Sequence, residues 1–353
     1  LLPNSIVTIG SYIFTSCSEL TSINLPSDIS KIGNNAFEGC SKLTRITLPD
    51  SLKNIECYTF QNCSNLVNVK IPNNVVNIEK NAFTNSGLIN IVIPDSVESI
   101  GKESFMNCNS LLKITLSNNI NIIEDSTFKN CAKLKNIELP DSVTKICEMA
   151  FYGCISLVNV TIPENVVSIG SSAFHSCSSL KNITLPDFVT VIESSMFYDC
   201  INLETVVLPE FLIRINDYTF YNCEKLKNIV IPDSVNSIGS WAFYNCSDLE
   251  SVTIPEGITS ISEYTFCNCK NLKNIVIPES MLSIGQYSLS GCNNLGIVNI
   301  PKKVQFIDTD FRCTYINVDS ENKKYLSIDG VLFDNYKQRL IQFPVCNTRT
   351  VYN

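Results

Sequence analysis

Twelve cysteines recur in register along the 353-residue chain: Cys17, Cys40, Cys63, Cys108, Cys131, Cys154, Cys177, Cys200, Cys223, Cys246, Cys269 and Cys292. Thiols in such a row could bind metal or pair as disulfides. A structural zinc site needs clustered ligands, usually two close pairs or a pair with histidines. Only Cys267-Asn268-Cys269 brings two cysteines close, with no second pair or histidine beside it, so no metal site is expected. For a disulfide, the Cβ atoms must converge to ~3.8 Å, whereas residues stacked in register send their Cβ vectors out in parallel. The row is therefore expected to consist of buried free thiols filling space as small apolar side chains. Cys57, Cys147, Cys267, Cys313 and Cys346 fall outside it.

Nucleophilic and acid–base catalysis find few candidates. His175 is the sole histidine and stands where neighbouring repeats carry Tyr198, Tyr221 and Tyr244, which marks it as a substituted surface residue. No Gly-rich phosphate loop, Gly-x-Ser-x-Gly elbow or His-Glu-x-x-His helix occurs. An enzyme would have to be built from carboxylates alone, so neither enzymatic activity nor a cofactor is expected. With 34 acidic against 26 basic residues, the net charge is −8. Phosphate binding needs clustered Lys and Arg, so nucleic acid is excluded as a partner and a basic one is favoured.

Three surface columns could carry binding. Asp141, Glu164, Asp187, Glu210, Asp233, Glu256 and Glu279 each follow a proline and form an acidic row. At ~5 Å apart in water such carboxylates repel by somewhat under ~1 kcal/mol per pair, which a basic partner or divalent cations would relieve; solvated turn residues are the plainer reading. The second column is Thr115, Glu138, Thr161, Thr184, Val207, Val230, Thr253 and Val276, the outward face of a sheet. Thr and Val suit exposed strands on propensity alone, yet a mildly apolar floor beside an acidic rim also has the make-up of an interface. The third column is aromatic: Tyr218, Trp241, Tyr264 and Tyr287, flanked by Tyr198, Tyr221 and Tyr244. These are candidate hot spots, although packing between successive repeats explains them equally well. Asn62, Asn159, Asn182 and Asn245 begin Asn-x-Ser/Thr sequons, of consequence only in a eukaryotic secretory route.

The element that positions these columns is a 23-residue repeat, clearest at Ile231 to Ile254, IPDSVNSIGSWAFYNCSDLESVTI. Prolines mark its position 0 at residues 3, 26, 49, 72, 94, 140, 163, 186, 209, 232, 255, 278 and 301, with Ser117 in a proline's place. The single spacing of 22 falls in the repeat containing Asn85, Ser86 and Gly87. Counting from Pro232, Val235, Ile238, Phe243, Cys246, Leu249, Val252 and Ile254 are the recurring apolar positions, with Gly239 at position 7. Leu249-x-x-Val252-x-Ile254 alternates as a strand with one buried face. Stacking these strands at ~4.8 Å gives a parallel sheet. The half from Val235 to Phe243 is expected to return as a short strand and a tight helical turn about Ala242-Phe243. One unit cannot offset ~23 to 46 kcal/mol of backbone entropy with roughly 10 to 20 kcal/mol of apolar burial, so the repeats must stack. Stacked repeats grow along one axis, which predicts one body and not several domains. The fold expected is a solenoid of about 14 rungs, some 65 to 70 Å long at strand spacing.

The run C-x-x-L-x-x-I-x-[IL]-P-x-x-V-x-x-I-G-x-x-A-F-x-x-C, seen at Cys223 to Cys246, resembles the BspA-like leucine-rich repeat, also called the Treponema pallidum-type repeat. The resemblance covers residues 1–318, and Tyr325 to Pro344 resembles the hairpin that this family inserts between repeats. Ser117 for Pro, Cys147 for Gly and a shortened unit around Phe311 and Cys313 depart from the pattern. It implies a leucine-rich-repeat solenoid, a right-handed curved coil with a parallel β-sheet on the concave face and short strands and 3-10 turns on the convex side. Residues 1–318 would form the repeats, and 319–353 the inserted hairpin and the start of a further repeat. The resemblance further implies a cell-surface or secreted binding module that attaches to host matrix, host cells or other microbes. Its ligand would be a protein or glycan, the segment itself a monomer with no membrane insertion. The chain opens inside a repeat and reads as a segment of a longer protein. A rigid structural spacer and an intracellular scaffold are the alternatives.

Overall fold

The computed structural model describes residues 2–344. Cys346 and the expected start of a further repeat lie outside them. By backbone contacts the chain divides into residues 1–180 and 181–353. Each is built of stacked rungs, one per repeat.

In the first unit, repeat positions 19–21 form strands such as Asn136–Glu138 and Asn159–Thr161, paired parallel with Ile137 opposite Val160. Their burial alternates outward, inward, outward, because successive side chains of a strand leave opposite faces. Two-residue strands at positions 5–6, Lys145–Ile146 and Ser168–Ile169 among them, form a second parallel ladder on the return side. The return ladder runs unbroken through the 22-residue repeat, with Asn77 opposite Ser99 and Ile78 opposite Ile100. Between the two ladders sits the core. Phe14 to Phe174 stack as one column with ring centroids 5.2–5.8 Å apart.

The second unit repeats the plan. Ser251–Thr253 pairs with Asn274–Val276, Ser260–Ile261 with Ser283–Ile284, and Phe197, Phe220, Phe243 and Phe266 stack at 5.2–5.5 Å. After the last rung, Tyr325–Ile328, Val331–Asp334 and Leu340–Gln342 form a three-stranded antiparallel sheet, one strand more than a hairpin.

The turn segment differs from expectation. Among the described residues there is no helix, neither α nor 3-10. Positions 7 to 14 form consecutive β-turns: Ala36 N–H donates to Gly33 C=O, Glu38 to Asn35 and Cys40 to Phe37, at 3.1–3.3 Å. The reason is that positions 9 and 13 adopt left-handed backbone, φ +58° at Asn35 and +71° at Gly39, which interrupts any run of helical φ values. Position 13 is filled by Asn, Asp, Ser or Gly, as at Asn222, Asp199, Ser176 and Gly291, the residues that tolerate this conformation. Position 9 accepts Tyr218, Trp241, Tyr264 and Tyr287 there, where bulk makes left-handed φ unfavourable. From these turns the N–H groups at positions 9, 11 and 13 reach to the next rung. Tyr218 donates to Ser240, Phe220 to Ala242 and Asn222 to Tyr244, at 2.7–3.0 Å.

The cysteine column does more than fill space. Cys154 Sγ donates to the carbonyl of Phe128 in the preceding rung at 3.1 Å, and the same bond recurs from Cys63 to Phe37 and from Cys246 to Phe220. The cysteines among the described residues are free thiols. Burial pushes the Cys154 thiol up to about 12, which keeps it a protonated donor. Ser86 occupies the column in the shortened repeat and meets Cys108 Sγ at 3.3 Å.

Candidate functional site

The sheet face and the acidic row run side by side because positions 19–21 and position 1 flank the same proline. In the first unit Asp141, Glu164 and Thr161 are exposed; in the second so are Asp187, Glu210, Asp233, Glu256, Glu279, Thr184, Val207, Val230, Thr253 and Val276. Val230 is 83% exposed, so the apolar floor of the second unit is open to solvent.

The first unit adds a groove on this face with a volume of about 960 Å³. Asp95, Glu138 and Asp141 line it together with Lys113, Thr115, Val92 and Leu112. Three carboxylates face one ammonium. Val92 and Leu112 are 64% and 46% exposed, so the groove adds aliphatic surface to its charged rim. Of these, Asp141, Thr115 and Glu138 belong to the columns legible in the sequence. Asp95 was missed because Ser117 and Asn118 interrupt the proline–acid pattern one rung earlier, although Pro94-Asp95 carries the same signal.

Some carboxylates of the row also serve the fold. Asp95 Oδ1 accepts the Asn118 N–H at 2.9 Å, and Glu256 accepts the N–H groups of Glu279 and Ser280 at 3.2 and 3.3 Å. Each thereby binds a turn donor of the next rung while leaving lone pairs for solvent or a partner.

The aromatic rows converge in the second unit. Trp241 stacks on Tyr264 with centroids 3.9 Å apart, and Tyr221 lies between Tyr198 and Tyr244 at 4.4 and 4.7 Å. Trp241 and Tyr244 meet at 5.0 Å, which ties the two rows together. Burial, followed by the neighbouring Tyr198 and Tyr244, pushes the Tyr221 hydroxyl up to about 12. Stacking covers much of the ring surface of Tyr221 and Trp241, whereas Tyr218 and Tyr287 at the two ends of the row stay 38% and 45% exposed. His175 is used similarly: its ring stacks on Tyr152 at 4.4 Å, and Nδ1 meets Ser176 Oγ at 2.9 Å.

Among the described residues, one group of potential metal ligands occurs, where Cys147 replaces the usual glycine. Donor atoms of Glu124, Asp125 and Cys147 lie within 4.8 Å of one another. Asp125 is already engaged by Lys102 Nζ at 2.6 Å and by the Glu148 N–H at 3.2 Å. Burial, then Glu124, raises the Cys147 thiol, which opposes the thiolate a metal would need. Cys267 and Cys269 are both buried, and Cys269 Sγ donates to Phe243. Of the sequons, Asn159 and Asn182 are exposed at the starts of strands, whereas Asn62 and Asn245 bond to Asn85 and Asn222 in left-handed turns. No described helix is long and apolar enough to cross a membrane.

No curated protein matches the chain. Among solved structures, a leucine-rich repeat protein from Bacteroides ovatus ATCC 8483 is 32% identical, covers 85% of this chain and 87% of its own, and superposes with a TM-score of 0.74. A leucine-rich cell-surface protein from Faecalibacterium prausnitzii A2-165 is 27% identical, with 78% and 77% of the two chains covered and a TM-score of 0.46. The T. pallidum leucine-rich repeat protein is also 27% identical, with 59% and 78% covered and a TM-score of 0.38. The family described as "BspA type Leucine rich repeat region" matches residues 1–112, 98–226 and 190–317. The repeat, its parallel ladders and this family match over residues 1–317 agree: the chain belongs to the BspA-type leucine-rich repeat family.

Proposed function

We propose that this protein is a non-enzymatic binding module, an adhesin-type segment of a cell-surface protein, that takes a basic protein ligand on its acid-rimmed sheet face. The observation that carries this reading is the groove of the first unit, in which Asp95, Glu138 and Asp141 accompany exposed Val92 and Leu112. A Lys or Arg side chain matches such a surface, since its alkyl stem covers aliphatic groups while its charged head reaches the carboxylates. The coupling would be felt chiefly in association rate and salt dependence. Surface placement and attachment to host matrix, host cells or other microbes are parts of this proposal.

The test is binding of the purified chain to immobilised matrix proteins, mucins and host-cell membranes at two salt concentrations. A variant carrying Asp95→Asn, Glu138→Gln and Asp141→Asn serves as comparison; Asn at position 95 keeps an oxygen to accept the Asn118 N–H. Saturable binding that weakens in high salt and in the variant is expected. Binding indifferent to both changes refutes the site. The spacer reading draws support from the Asp95 and Glu256 bonds to neighbouring rungs; it predicts no binding to any of these surfaces.

A further inference from the structure

The shortened rung that begins at Pro301 opens a second groove, far in sequence from the first. Its return strand keeps the regular register, Ser283 opposite Phe306 and Ile284 opposite Ile307. Its sheet strand pairs Leu295 with Cys313, only 18 residues on. The five missing residues therefore come from the turn segment, the part that would cover Ser290 to Asn294. Across this gap the strand Leu340–Gln342 and the preceding Arg339 form the opposite wall, and the cleft measures about 830 Å³. That volume lies within the ~300–1,000 Å³ typical of small-ligand clefts.

Three properties of the cleft act together. Tyr287 ends the aromatic row: one ring face lies toward Tyr264 at 5.1 Å, no other described ring stacks on it, and it is 45% exposed. The Gly291 N–H occupies position 13, where Asn245 donates to Cys267 and Asn268 to Ser290 at 2.8 Å each. Among the described residues Gly291 finds no backbone acceptor of this kind, because the shortened rung lacks it. The polar lining is balanced, with Asp308 and Asp310 against Arg312 and Arg339. Asp310 is held in place by Ser290 Oγ and by Arg312 Nε, the latter at 3.4 Å.

We propose that this cleft binds a neutral oligosaccharide. One pyranose ring lies on the open face of Tyr287, while its hydroxyls bond the Gly291 N–H, the Asp310 carboxylate and the Arg339 guanidinium. The chemistry of each partner matches. The electron-rich face of an aromatic ring attracts the polarised C–H groups on the apolar side of a sugar. Sugar hydroxyls both donate and accept, so they use carboxylates, guanidiniums and backbone N–H groups side by side. An ionic ligand would be favoured by a net field, which two carboxylates and two guanidiniums cancel.

The experiment titrates the whole chain calorimetrically with cellohexaose, laminarihexaose, mannohexaose and N-acetylchitohexaose at low and high salt. The test variant is Tyr287→Asn, which the fold accepts because Asn35 and Asn81 hold the same repeat position with φ +58° and +56°. Tyr218→Asn, at the opposite end of the aromatic row, is the control for a merely structural effect. At least one probe binds, Tyr287→Asn weakens it by about tenfold or more, Tyr218→Asn leaves it within about twofold, and salt leaves it unchanged. Failure of all four probes to bind, equal loss in the two variants, or affinity that falls with salt overturns the proposal. These residues are separate from Asp95, Glu138 and Asp141, so either site can fail without the other.

Discussion

Cys154 tests whether the thiol column acts through its hydrogen bond or only through its volume. The side chain is fully buried, and Sγ donates to the Phe128 carbonyl at 3.1 Å. That carbonyl also receives the Cys131 N–H at 3.1 Å, so losing the thiol leaves it singly bonded and not orphaned. Cys154→Ala removes one atom of roughly 25 Å³, and at ~24 cal/mol per Å³ the cavity costs ~0.6 kcal/mol. Lost apolar burial adds ~0.8 kcal/mol and the lost S–H donor ~0.5 kcal/mol, about 2 kcal/mol together. Cys154→Ser keeps a donor aimed at Phe128, and Ser86 already occupies this column, so its cost is expected to stay below ~1 kcal/mol. If the cysteine were only an apolar plug, the order would reverse, since a buried hydroxyl without a partner costs ~1–3 kcal/mol. Repeat arrays often unfold piecewise, so the suitable assay is native-state hydrogen exchange over residues 128–177. Exchange should accelerate about 30-fold in the Ala variant and under about fivefold in the Ser variant. Faster exchange in the Ser variant than in the Ala variant refutes the donor role.

The same thiol makes stability fall in alkali. Burial raises it from the ordinary thiol value of 9.0 to about 12, so the folded state binds the proton more tightly; the contribution is complete below pH 9 and is lost as pH climbs toward 12. Exchange at residues 128–177 measured from pH 8 to 10 should show a shallower loss for Cys154→Ser than for the parent. In the aromatic column, Phe151→Ala is expected to cost ~3–5 kcal/mol, while Phe151→Leu costs less because Leu289 fills the same position, and urea unfolding followed by circular dichroism checks the order. Gly170→Ala would place a Cβ 2.5 Å from the Glu148 backbone nitrogen, so a loss of ~1–3 kcal/mol is expected by the same method, and a neutral result would show that neighbouring rungs slide apart freely.

The repeat was legible because its signals are strictly local. Proline at position 0, the Leu-x-x-Val-x-Ile alternation and the Phe and Cys columns recur where each rung needs them, and the strands Ser251–Thr253 and Ser260–Ile261 fall where the pattern puts them. Left-handed backbone at position 13 had a signal too, in the Asn, Asp, Ser and Gly found there. At position 9 the signal was hidden, since Trp241 and Tyr264 advertise packing and conceal φ values near +60° and +54°. The thiol–carbonyl bond could not be read because it depends on the offset between rungs, 26 residues from Cys154 to Phe128. Of the candidate sites, the acidic row and outward Thr/Val column were visible as columns. Their gathering with Asp95, Val92 and Leu112 into a groove, and the cleft left by the shortened rung, are three-dimensional outcomes of an interruption and a deletion whose positions alone were readable.

The one-way bonding of the turn segment gives each unit an electrical direction. In a parallel ladder N–H groups point both to the rung behind and to the rung ahead, as Lys273 to Glu250 and Ile254 to Val276 in one sheet, so their peptide dipoles largely cancel. In the regular rungs the donors at positions 9, 11 and 13 point ahead, as Trp241 to Glu263, Phe243 to Thr265 and Asn245 to Cys267. Dipoles aligned head to tail add, as they do along an α-helix, with partial positive charge where the N–H groups emerge and partial negative charge where the carbonyls do. A stack of such turns is thus a polar column, positive toward its higher-numbered rungs. Its two ends are chemically unlike even where the sequences of the terminal rungs are the same, so a surface laid across one end meets donors and a surface laid across the other meets acceptors.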